Sequence, residues 1–193
     1  MNSIPEKNPT IFADSSIEDM EIFLQKNRNN VNLLIPSVQE LICLNNSNRI
    51  DILDLIIKYK ANLNHQDDDQ MTILHYSCFL QDDLTRHFIE RLITAGIDGS
   101  IKNVWGETAF HTAAKFSIDP NIILILLPIS DPNALDLYGN TPLMLACLTN
   151  RSVEIIQLLI NYTNDIGHRN YSGENALDLS IRLQNNNAIL ALL

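Results

Sequence analysis

Apolar residues in this chain gather in short stripes at helical spacing, set apart by polar turns. In "RIDILDLIIKYKANLN" (49–64), "HFIERLITAGID" (87–98), "NIILILLPI" (121–129) and "VEIIQLLINY" (153–162) they recur in pairs at the spacing of one helix face, which predicts amphipathic helices. Shorter segments stand between these stripes: "MTILHYSC" (71–78), "GETAFHTAA" (106–114) and "GNTPLMLAC" (139–147), with "GENALDLS" (173–180) closing the series. Aligned on Thr72, Thr108, Thr141 and Asn175, they recur at intervals of 36, 33 and 34 residues. The same period counted back from Thr72 reaches Gln39, where "QELICLNN" reads as a worn copy without Thr-Pro. A fixed period of this length means stacked supersecondary units, none of which can bury its apolar faces alone.

The unit is legible residue by residue. Gly106, Gly139 and Gly173 fall two positions before the Thr or its stand-in, where a tight turn calls for positive φ, and Gln70 takes that place in the first clear copy. Thr72, Thr108 and Thr141 can cap the first helix by accepting a backbone N–H. Pro142 suits the first helical position, where its missing N–H costs nothing. Ser77, Ala113, Ala146 and Ser180 are small enough for first helices to approach one another closely. The pairs Ile56-Ile57, Leu126-Leu127 and Leu158-Leu159 should face between two helix layers.

On these residues the chain resembles the ankyrin repeat family, whose unit is a β-turn followed by two antiparallel helices. The resemblance covers roughly residues 36 to 193, with Gly139, Thr141-Pro142-Leu143 and Ala146 as its best copy. It implies an all-α fold: an α-solenoid of about five ankyrin-type helix-turn-helix repeats with β-turn or hairpin tips and incomplete end repeats. The expected segments are a loose tail (1–14), a degenerate cap (15–38), repeats at 39–71, 72–107, 108–140 and 141–174, and an incomplete copy at 175–193. Within 15–38, "SSIEDMEIFLQKNRNNVN" reads as a second helix and its exit turn. Three extra residues near "FLQDDLTR" should lengthen the link between the helices of the second full repeat. The closing "NNNAILALL" carries no polar cap, so its apolar face is expected to fray or to meet another surface, a second copy included.

Composition narrows the function. A formal net charge of −10 repels nucleic acid and anionic lipid and favours a neutral or basic protein partner. The longest apolar run, residues 122–129, is far short of the roughly 20 needed for a membrane helix. The N-terminus shows no signal-peptide pattern, and Cys43, Cys78 and Cys147 each lie in an apolar segment, as reduced buried thiols of a cytoplasmic protein would. His75 and His111 share one repeat position and are expected to bridge adjacent turns rather than to ligate a metal; no other ligand spacing, phosphate loop or nucleophile motif occurs. The run Asp67-Asp68-Asp69 lacks Ca²⁺-loop spacing and reads as a solvated tip. No catalytic residue, metal or cofactor is expected.

The resemblance implies a concave groove lined by turn residues and by the ends of the first helices, and there the candidate partner-binding residues lie. Asp69, Trp105 and Tyr138 stand three positions before the Thr; Asp68, Leu137 and Tyr171 stand four before it or its stand-in. Trp105 is the chain's one Trp, and exposed Trp and Tyr are enriched in binding hot spots. Asp68, Asp69, Glu107 and Asp136 supply flanking acids, Met71 lies under the rings, and Phe79, Phe116 and Leu148 form an apolar floor. The expected function is non-enzymatic: an inhibitor, adaptor or scaffold, most simply a monomer, holding a protein with a basic or mixed segment and an apolar anchor. Alternatives are a pathogen or viral effector acting on a host protein, and an assembly chaperone for a basic client.

Overall fold

The computed structural model describes residues 17–26, 48–149 and 151–193. The tail expected at 1–14, the worn first helix at Gln39 and Cys43 lie outside the described residues.

The described residues form ten α-helices in two layers, and no strand. The first helices of successive repeats are α3 (Ile73–Ser77), α5 (Ala109–Phe116), α7 (Pro142–Leu148) and α9 (Ala176–Arg182); each packs on the next. The second layer runs α1 (Ile17–Lys26), α2 (Arg49–Lys58), α4 (Thr85–Thr94), α6 (Pro120–Leu126), α8 (Val153–Tyr162) and α10 (Asn186–Leu192), again in succession. α1 packs on α2 within this second layer. α6 runs on into a short 3₁₀ turn, Leu127–Ile129, where Pro128 denies the α-helix a donor.

One hydrophobic core threads both layers. Ile56, Leu126 and Leu159 are buried in it, and their neighbours Ile57, Leu127 and Leu158 pack at its edge. Ser77, Ala113, Ala146 and Ser180 have no exposed surface, which is why the first helices can stack closely. Inter-repeat ion pairs lace the second layer: Lys58 with Glu21, Arg91 with Asp54, and Arg86 with Asp119 at 2.9 Å.

The extra residues do lengthen the second full repeat's link, which spans 78–84 and follows the shortest of the first helices. They also introduce Asp82. Its carboxylate accepts both Arg49 Nη2 contacts, at 2.6 and 2.7 Å, and the Thr85 hydroxyl at 3.1 Å. Arg49 is 2% exposed and lies over the Phe88 ring. Burial disfavours the charged form of Asp82, but the Arg49 hydrogen bonds and charge outweigh it and hold its pKa below the usual carboxylate value. The insertion thus ties the link to α2, the second helix of the preceding repeat. Cys78 and Cys147 are free and buried, and burial pushes their thiols up to about 12 and about 11.

Candidate protein-binding groove

The repeat tips are built from one turn used four times. Asp67, Asn103, Asp136 and Asn170 each accept, on Oδ1, the N–H groups two and four residues later, at 2.8–3.1 Å. The N–H of Gln70, Gly106, Gly139 or Gly173 closes each turn on the carbonyl of that same Asx residue. All four closing residues have φ between 57° and 78°. Gln70 accepts a backbone that glycine adopts more readily. Sequence reasoning missed these Asx residues as turn-formers, although Asp or Asn recurs five positions before each cap at the repeat spacing.

Backbone hydrogen bonds then join tip to tip. Val104 N–H donates to Asp69 O at 3.0 Å, Leu137 N–H to Trp105 O at 2.9 Å, and Tyr171 N–H to Tyr138 O at 3.0 Å. This ladder sets Asp69, Trp105, Tyr138 and Ser172 in one row. Behind it, His75 and His111 do what the bridging reading expects. Thr72 N–H donates to His75 Nδ1 at 3.1 Å, so the opposite nitrogen carries the proton and donates to Glu107 O of the next tip at 3.1 Å. His111 repeats the pattern with Thr108 N–H and Asn140 O. The Thr72 and Thr108 hydroxyls lie 2.8 and 2.9 Å from the same Nδ1 atoms, so these caps engage the histidine as well as the helix end. Burial lowers both histidine pKa values, against the pull of the carbonyls, and keeps the rings neutral at pH 7. Thr141 caps α7 in the ordinary way, accepting from Met144 N–H at 3.3 Å.

Between the row and the first helices lies a pocket of about 280 Å³. Its walls are Trp105, Tyr138, Phe79 and Phe116, over Met71 and Glu107, with Asn103, Thr112 and Lys115 completing it. Phe79 and Phe116 touch with centroids 4.7 Å apart, so the insertion after Phe79 leaves its register intact. Trp105 is 45% exposed and Tyr138 63% exposed. Lys115 reaches across the floor, its Nζ 3.0 Å from Glu107 Oε1 and 5.3 Å from the Phe116 centroid.

The repeat geometry is matched by comparison with known proteins. The family profile described as "Ankyrin repeats (3 copies)" matches residues 41–136 and 118–193. The chain belongs to the ankyrin repeat family. Ankyrin repeats form a protein–protein interaction module. Similar proteins include the B-cell lymphoma 3 protein homolog of Mus musculus, 23% identical over 128 residues, which cover 66% of this chain and 29% of that protein. An ankyrin repeat protein of Fowlpox virus (strain NVSL) is 28% identical over 153 residues, 76% of this chain and 44% of its own length. An ankyrin repeat protein of Acanthamoeba polyphaga mimivirus is 33% identical over 111 residues, 55% of this chain and 19% of its own. The chain spans less than half the length of each of these relatives.

Within the ankyrin groove the remaining candidate residues divide. Leu137 and Tyr171, 64% and 78% exposed, sit on the tips over Gly106 and Gly139 rather than in the pocket. Asp68 and Asp69 are exposed at the first tip, and Leu148 packs at the core's edge. Two acids read as flanking the rings are instead buried. Asp136 spends its carboxylate on the turn and on Asn140 Nδ2, and Glu107 is 7% exposed and bonded to Lys115. Met71 is buried too, its sulfur facing Asn103 Nδ2 at 3.4 Å. The pairing of positions eight residues apart that links Glu107 to Lys115 recurs as Glu174 with Arg182. Among the described residues no cluster of three or more His, Cys, Asp or Glu could hold a metal, and no helix is long and apolar enough to cross a membrane.

Proposed function

We propose that this ankyrin stack is a non-enzymatic binding protein that holds a protein partner on the concave face, between the tip row and the first helices. The observation that carries this reading is the convergence of Phe79, Trp105, Phe116 and Tyr138, drawn from two successive repeats, on one pocket. Three of the rings, Phe79, Trp105 and Tyr138, are exposed, and aromatic side chains of this kind dominate interface energetics. The net charge of −10 and the exposed Asp68 and Asp69 favour a partner segment of basic or mixed character. Similarity to proteins of two viruses supports a second, narrower reading, in which the partner is a host protein and the chain an effector.

The test is capture of partners from cell lysate with wild type and with Trp105→Ala/Tyr138→Ala, at matched thermal stability. Partner affinity should fall by at least about thirtyfold, the scale of a lost hot spot. A partner retained equally by both proteins would remove the concave pocket as the binding site.

A further inference from the structure

We infer that the group entering the four-ring pocket is a cationic side chain, lysine or arginine, of a partner protein, with Glu107 as its counter-charge. This rests on the groove reading above and names the chemistry of its central contact. The faces of aromatic rings attract cations, most strongly Trp, and four rings line this one pocket. The same pocket holds a carboxylate that is almost fully withdrawn from water, Glu107.

The protein already shows what that combination holds. Lys115 places its own ammonium on Glu107 at 3.0 Å and over the Phe116 ring at 5.3 Å. Lys115 remains partly exposed, with 31% of its side-chain surface accessible, against 10% for Glu107. The internal cation can therefore swing out to water while the carboxylate stays. An incoming basic group takes over Glu107 and gains contact with Trp105 and Tyr138, which line the same pocket. A purely apolar side chain would instead seal an ion pair from water without adding a hydrogen bond, which is unfavourable. A carboxylate would enter against Glu107, with Asp69 beside Trp105 in the tip row. Outside the pocket, exposed Asp68 and Asp69 and the net charge of −10 steer a basic segment toward it.

Trp105 is the one Trp, so its indole N–H gives a single NMR reporter at the pocket mouth. The full chain is titrated with the blocked peptide Gly-Leu-Arg-Leu-Gly and with the same peptide carrying norleucine or citrulline in place of Arg. The arginine peptide should shift the indole signal saturably. The two neutral peptides should bind about tenfold more weakly, the scale of one charge-assisted hydrogen bond. Glu107→Gln should weaken the arginine peptide by a similar factor and leave the norleucine peptide unchanged. Lys115→Met, which removes the internal competitor, should tighten the arginine peptide selectively. No saturable shift with the arginine peptide, or equal binding of the norleucine peptide, overturns the assignment, and both results come from wild-type protein alone. If Trp105→Ala/Tyr138→Ala loses its partner while Glu107→Gln keeps full affinity, the cation assignment fails and the groove stands. If arginine-peptide binding survives as described but the double variant retains its partner, the groove reading fails instead.

Discussion

Glycines at equivalent turn positions should differ in importance because different atoms lie beside them. Gly106, Gly139 and Gly173 share a φ of 74°, 76° and 78°. A side chain at such a φ costs about 1–2 kcal/mol. Replacing Gly by Ala also restricts the unfolded chain, which returns about 0.4–1 kcal/mol. Backbone strain alone therefore destabilises each alanine variant by about 1 kcal/mol. At Gly173 a new Cβ meets nothing within 4 Å, so Gly173→Ala should show that value and no more. At Gly139 the Cβ would lie 2.9 Å from the Tyr171 ring, which is largely exposed and can swing aside. At Gly106 it would lie 2.8 Å from the backbone nitrogen of Leu137. That nitrogen donates to Trp105 O, so relieving the clash pulls two repeat tips apart. The lost tip-to-tip hydrogen bond adds about 1 kcal/mol, and displacement of Leu137 adds to it, for a total of about 2–3 kcal/mol. Urea unfolding followed by far-UV circular dichroism, with the three variants compared at constant m, reads these differences. Equal losses at Gly106 and Gly173 would refute the reasoning, because they would show that the tip ladder contributes nothing beyond φ.

Gln70→Gly should stabilise by about 0.5–1 kcal/mol, since it relieves the left-handed backbone at φ 57° against the entropy glycine adds to the unfolded chain; the same urea titration checks it. Asp82→Ala should destabilise by about 2–3 kcal/mol by stranding the buried Arg49 guanidinium, with water access to Asp82 holding the loss below that of a fully buried pair; Arg49→Met in that background should recover part of it, and no recovery would argue against the stranded charge. Both His75 and His111 have lowered pKa values, so the unfolded chain binds more protons than the folded one below about 6.5; stability should fall as pH drops from there through the folded values, and His75→Gln/His111→Gln should flatten that limb in pH-dependent thermal melts.

The repeat was legible in the sequence because its signals are local. A Gly or Gln two positions before the cap, a Thr or Asn cap, and a small residue on the first helix recur at one spacing, and each acts on its own turn. The same reading found the histidine bridges, since a residue type fixed at one repeat position implies one repeated contact. It also brought Trp105, Tyr138, Phe79 and Phe116 to the same face, because their register follows from the period. What remained hidden depends on residues meeting across repeats. Asp136, buried in its own turn, stands at the recurring Asp or Asn position five before the cap and the exposed Asp68 does not, a local signal left unread, while nothing local marks Glu107 as the partner of Lys115. Arg49 and Asp82 lie 33 residues apart, and only the packed link makes them a pair. Periodicity determined the architecture and the face on which the four rings gather; burial and charge pairing, which depend on how the units pack, were decided by the tertiary structure.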